Sequence, residues 1–201
     1  IAEAWTSSGA LNDLADFRDA VASVAEWAEA EDQTGEDDER RVRDWFSEND
    51  PGSRPGERWS DSEQDDSRWP QMALPGHWET LGLQDFDGLV WFRKRFTVPD
   101  RWKGDDLILH LGRIDDSDTT FVNGRRVGGV EGYDQLRVYR VPESLLFSGE
   151  NTIAIRVLDT GGEGGVHGAP TEMYLKSADP SKSGASPLAG WWRYKAAAPL
   201  S

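Results

Sequence analysis

Thr119-Thr120-Phe121-Val122-Asn123-Gly124-Arg125-Arg126-Val127 is the stretch on which the fold turns. Asn-Gly between two β-prone runs is the strongest local signal for a two-residue hairpin, because both central positions of a type I′ turn need positive φ. A hairpin makes its two strands antiparallel neighbours. The stretches on either side speak the same language. Residues 89–98 set Val90, Phe92, Phe96 and Val98 against Trp91, Arg93, Arg95 and Thr97, interrupted by Lys94 and stopped by Pro99. Leu107, Leu109 and Leu111 alternate up to Gly112, and residues 136–141, 152–158, 173–175 and 191–195 add four short runs between Gly, Pro and Ser clusters. Seven or more short strands without helical crossovers predict a mainly β fold, an antiparallel β-sandwich or jelly roll. A parallel α/β sheet is disfavoured.

Upstream the periodicity changes. Leu11, Leu14, Phe17, Val21, Val24 and Ala28 recur at spacings of three and four, which predicts an amphipathic helix capped by Ser7 or Ser8. A second helical stretch is predicted over residues 36–47, with Val42, Trp45 and Phe46 inward and the run Glu36-Asp37-Asp38-Glu39 at its N-terminus. Pro51, Gly52, Pro55 and Gly56 among Ser and Asp then predict a long irregular loop. The expected organisation is a helical segment at 1–48, an acidic linker at 49–68 and the sandwich at 69–198.

Composition narrows the function. The 201 residues carry 22 Lys and Arg against 37 Asp and Glu, for a net charge of -15. Such a chain repels phosphate backbones and anionic lipid, so its charge argues against nucleic acid and membrane as partners. No run approaches the roughly 18–20 apolar residues of a membrane span, and the first 20 residues lack a secretory pattern. Without cysteine, thiol catalysis, disulfides and Cys-ligated zinc are excluded. Lysine is scarce, at positions 94, 103, 176, 182 and 195 only. Few lysines beside abundant Asp and Glu point to a protein that works in high salt, where screening removes self-repulsion.

Chemistry-bearing motifs are few. The three histidines, His77, His110 and His167, belong to no H-E-x-x-H pair, and neither a G-x-S-x-G elbow nor a phosphate-binding loop occurs. No catalytic residue, metal site or cofactor is therefore expected in this chain. Asp115, Asp116 and Asp118 form the densest polar cluster of the β region. They could hydrogen-bond sugar hydroxyls or hold a hard cation, or else cap a turn and pair with Arg93, Arg95, Arg137 or Arg140. Of ten tryptophans, Trp91, Trp191 and Trp192 lie in strand patterns and read as core or interface. Trp78 and Trp102, in predicted loops, read as surface platforms for a sugar ring. The candidate substrate-binding set is His77, Trp78, Asp115, Asp116 and Asp118.

A longer pattern then emerges. Leu74-Pro75-Gly76-His77-Trp78-Glu79, Asp85-Phe86-Asp87-Gly88-Leu89-Val90-Trp91-Phe92-Arg93-Lys94, Leu109-His110-Leu111-Gly112-Arg113-Ile114-Asp115-Asp116-Ser117-Asp118 and Gly149-Glu150-Asn151-Thr152-Ile153 together resemble the domain inserted within bacterial sialate O-acetylesterases. That domain is similar to the galactose-binding-like jelly roll that opens many family 2 glycoside hydrolases. The opening Ala2-Glu3-Ala4-Trp5-Thr6-Ser7 resembles the segment that precedes the insertion in the same esterases, so the chain reads as an excised piece. The resemblance implies a galactose-binding-like sandwich and a non-catalytic role in shaping or orienting glycan. It implies as partner a catalytic SGNH-type domain of the same polypeptide, whose serine would cleave O-acetyl esters of sialic acid, and a periplasmic or secreted location. A stand-alone carbohydrate-binding module and the N-terminal domain of a family 2 glycosidase are the alternatives.

Overall fold

In the computed structural model, residues 48–199 are described; the two predicted helices at 7–30 and 36–47 lie outside them. Among the described residues twelve strands follow one another: β1 (Gln71–Leu74), β2 (Gly76–His77), β3 (Gly88–Thr97), β4 (Leu107–Asp115), β5 (Ser117–Val122), β6 (Arg125–Gly128), β7 (Leu136–Val141), β8 (Glu150–Asp159), β9 (Gly165–His167), β10 (Met173–Ser177), β11 (Ser186–Pro187) and β12 (Gly190–Pro199). They form two antiparallel sheets. One has the order β1-β12-β3-β8-β5-β6; the other has β11-β10-β4-β9-β2, with β7 also paired to β4. This is the expected antiparallel β-sandwich of jelly-roll type. Among the described residues no helix is long and apolar enough to cross a membrane.

The decisive hairpin forms where the sequence put it. Asn123 and Gly124 take φ of 49° and 78°, and β5 pairs with β6 across them. Asn123 is more than a turn residue: its side chain donates to Leu145 O and to Asn151 Oδ1, and accepts from the Thr152 amide. The hairpin is thereby tied to the start of β8.

Between the sheets lies the main core, where Phe92, Leu107, Leu109, Leu111, Ile153, Ile155 and Trp192 meet. A second, smaller core explains why β8, and β3 from Gly88 to Arg93, are buried on successive residues rather than on alternate ones. Trp91 and Ala154 point to the other face of the first sheet, where Trp59 and Trp69 cover them. The expected linker at 49–68 is thus partly an adhering cover. It is irregular, with one short 3₁₀ turn at Pro51–Ser53, but Asp50, Trp59 and Asp66 are buried. Asp50 accepts from Trp91 Nε1 at 2.9 Å, and Asp66 pairs with Arg93 at 2.8 Å. Buried carboxylates need such partners to stay charged.

Candidate functional site

One end of the sandwich gathers the predicted residues. There β2, β9 and β4 lie side by side, with His77 opposite Gly165 and Gly165 opposite Asp115. Glycine is required at this crossing: Gly165 has φ of +128°, and a Cβ there would sit 2.7 Å from Gly76 O. The His77 ring stacks on His167 with centroids 5.3 Å apart, and its Nε2 lies 3.8 Å from Glu163. His167 Nε2 donates to Tyr133 O at 2.8 Å.

Beneath this surface the carboxyl groups crowd together. Asp116 accepts from the Thr160 amide and hydroxyl, Asp159 Oδ1 from the Gly161 amide, and Glu79 Oε1 from the Gly164 amide. Asp159 Oδ2 and Glu79 Oε2 are buried without a protein hydrogen bond. Burial first, then the hydrogen bond and charge of Asp116, pushes Asp115 up to about 8. Burial, opposed by the Gly161 amide and reinforced by Asp116, Asp87 and Glu79, pushes Asp159 up to about 7. These groups hold protons near neutrality and can donate hydrogen bonds that ionised carboxylates cannot. No group of three or more His, Asp or Glu among the described residues is arranged to hold a metal ion.

Two predicted residues have a different place. Trp78 is wholly buried, stacked on Phe92 with its Nε1 donating to Phe86 O, so it is core and not a sugar platform. It is the first residue of a 3₁₀ turn, Trp78–Thr80, that directly follows β2. Trp102, the other tryptophan read as surface, is wholly buried too, beneath the Arg101 guanidinium. Asp118 is sealed within the fold: it accepts from Arg137 Nε, Tyr139 Oη, Thr120 Oγ1 and the Val130 amide. All its lone pairs are engaged, which leaves nothing for a ligand. Of the five candidates, His77, Asp115 and Asp116 stand near one another at the sandwich end.

A second site was not foreseen. On the first sheet a cleft of about 460 Å³ is lined by Asp66, Ser67, Gln71, Arg93, Lys94, Arg95, Trp191 and Arg193. Its volume lies in the range of small-molecule pockets. Trp191, read from sequence as core or interface, is 65% exposed, while its neighbour Trp192 is buried. Arg93, Arg95 and Arg193 stand there with one carboxylate, Asp66, in a chain of net charge -15, while Lys94 turns its ammonium toward the Trp192 ring. Arg93 is committed to Asp66 and to Trp59 O. Arg95 is shared between Glu150 and Asp66, Lys94 donates to Trp191 O, and Arg193 donates to Trp69 O at 2.7 Å. Burial holds Lys94 below the usual lysine range.

Comparison with known proteins bears on the fold. No family profile and no curated protein matches the chain. Among solved structures it is similar to a β-glycosidase from Bacteroides vulgatus, with TM-score 0.51 and 22% identity over 60% of this chain and 18% of that one. A Bacteroides uniformis β-glucuronidase gives TM-score 0.45 and 24% identity, over 67% of this chain and 15% of that one. A β-glucuronidase of glycoside hydrolase family 2 gives 0.46 and 21%, over 52% and 12%. The chain spans less than a fifth of each of these proteins. The sandwich is a shared architecture, consistent with a galactose-binding-like domain.

One signal for the unforeseen cleft was present in the sequence. Adjacent residues of a strand face opposite sides, so Trp191 and Trp192 cannot both enter one core. What the sequence withheld was the partner strand: Gln71 pairs with Arg193, and Arg193 with Arg93, across 122 and 100 positions of chain.

Proposed function

We propose that this chain is a non-catalytic β-sandwich domain of a larger carbohydrate-active hydrolase, of the kind that opens family 2 glycosidases. The observation that carries the reading is the sandwich itself, which resembles part of a β-glycosidase at TM-score 0.51. The galactose-binding-like pattern of residues 74–79, 85–94 and 109–118 supports the same architecture. Fold alone does not deliver activity. In this reading the catalytic groups reside in another domain of the same polypeptide, and the sandwich shapes or orients the glycan.

The opening Glu3-Ala4-Trp5-Thr6-Ser7 favours a second reading, an insertion in a sialate O-acetylesterase. One experiment separates the two. The parent protein is assayed on aryl β-glycosides and on O-acetylated sialosides, alongside the isolated 201-residue chain. Glycoside cleavage by the parent, with none by the chain, is the expected result. Acetyl release by the parent selects the esterase reading, and turnover by the chain itself overturns both.

A further inference from the structure

We infer that the cleft around Trp191 binds an acidic sugar residue of a glycan, its ring on the exposed indole and its anionic group at Arg193 and Arg95. Three independent observations converge there. Trp191 exposes 65% of its surface although large aromatic side chains gain most by burial, so an unpartnered indole face is held open on a rigid strand. The wall beside it is cationic in a strongly acidic molecule. And the polar groups of that wall are positioned from behind: Arg193 is held by Trp69 O, Arg93 by Asp66, and Asp66 also braces Arg95.

The chemistry selects the ligand class. Arg193 has no carboxylate partner among the described residues, and Arg95 has only a half-exposed pair with Glu150 and a 3.4 Å contact to Asp66. Guanidinium groups present planar forks that match a carboxylate or a sulfate in two parallel hydrogen bonds. Ser67 and Gln71 stand at the same cleft with neutral donors and acceptors suited to hydroxyls. A bare anion would leave the indole unused, and a neutral sugar would leave the guanidinium groups unanswered. The choice of a sugar over another anion with a flat face rests on the carbohydrate reading above; the cleft and its charge do not.

The 201-residue chain is titrated with a disaccharide ending in glucuronic acid, its sulfated counterpart and its neutral glucose counterpart, followed by tryptophan fluorescence and calorimetry. Acetate and inorganic sulfate serve as bare anions. The expected result is that at least one acidic sugar binds about tenfold more tightly than the neutral one, one decade being the difference of a single charge-assisted contact. Trp191→Ala is expected to weaken it about tenfold and to remove the fluorescence response. Gln71→Glu, an exposed change that sets a negative charge at the lip, weakens acidic sugars and spares neutral ones. Both variants leave the core intact, and unchanged melting temperatures verify this. Equal binding of acidic and neutral sugars overturns the inference while leaving a carbohydrate role standing. Bare anions binding as tightly as the sugars, or binding indifferent to both variants, overturns it as well. No sugar bound by a chain whose deletion still abolishes parent glycosidase activity overturns the inference and preserves the proposed function.

Discussion

Asp118 and Arg137 form an ion pair of 3.0 Å in which neither side chain reaches solvent. The carboxylate also accepts from the Tyr139 hydroxyl at 2.8 and 2.9 Å, and Arg137 spends its remaining donors on the carbonyls of Gly132, Gln135, Asp116 and Val130. One carboxylate thus fastens β5, β7 and the loop between β6 and β7. Burial, then the charge of Asp118, drives the Tyr139 phenol far above its usual range, so it stays a donor at any working pH.

Removing the carboxylate leaves a buried guanidinium without its counter-charge. Asp118→Ala is therefore expected to cost about 3–5 kcal/mol. Chemical denaturation reads this directly. A loss below about 1 kcal/mol would mean that water or another carboxylate replaces Asp118, and the hub would lose its importance.

The protonated carboxyl groups give stability a definite slope with pH. Asp159 and Asp115, raised to about 7 and about 8, keep a proton in the folded state that the unfolded chain releases near 4. Folding then takes up protons between these values, and stability falls as pH rises from about 4.5 to 8. For the fully buried Asp159 the loss is about 2–3 kcal/mol. Asp105, held low by hydrogen bonds from Lys182 and Ser177, and Asp106, held low by the Glu143 amide and Arg140, act in the opposite sense at lower pH. Thermal melts should therefore show an optimum on the acid side of neutrality. Asp159→Asn removes the ionisable group, and its melting temperature should exceed that of the parent chain at pH 8 but not at pH 5. An equal effect at both values would assign the change to packing.

Legibility from sequence followed the range of the interactions. Local signals sufficed for β3, β4, β5, β6, β7, β8, β10 and β12, whose alternation or turn chemistry lies within about ten residues. The strands that escaped, β1, β2, β9 and β11, have two to four residues and no periodicity to detect; only their partners make them strands. The site divides in the same way. His77, Asp115 and Asp116 stood out as polar residues in a β context and do meet at one end. Trp78, next to His77, is buried at the start of the short 3₁₀ turn Trp78–Thr80, where no periodicity in the sequence marks its direction. Arg193 gave no signal, since the residues that surround it, Gln71, Arg93 and Trp69, are remote in sequence.

The excess acid bears on salt. Screening weakens self-repulsion among exposed carboxylates but acts little on sealed pairs such as Asp118 with Arg137. The melting temperature of the chain should rise from dilute buffer to molar potassium chloride. A fall with added salt would show that exposed ion pairs such as Arg95 with Glu150 and Arg140 with Asp106 outweigh the repulsion, and the high-salt reading would be withdrawn.

The segment over the first sheet invites a direct test of its attachment. Trp59 meets Trp69 and Trp91 edge to face at 5.2 and 6.2 Å, and the Lys195 ammonium sits 4.0 Å over its ring. The Trp59 amide donates to Gly52 O, and Gly52 leaves so little room that a Cβ would come within 2.6 Å of the Trp59 ring. An indole packed on this many partners contributes as a core residue does. Trp59→Ala is expected to cost about 3 kcal/mol and Lys195→Met about 0.5–1 kcal/mol. Because Arg93 and Asp66 join the cover to the wall of the Trp191 cleft, loosening it should also weaken the cleft's ligand. Hydrogen exchange distinguishes a cover from a tether: the Gly52 and Trp59 amides should be protected well beyond those of an open loop in the parent chain and lose that protection in Trp59→Ala. Fast exchange at both amides in the parent chain, with an unchanged melting temperature in the variant, would return residues 49–68 to the role of a linker.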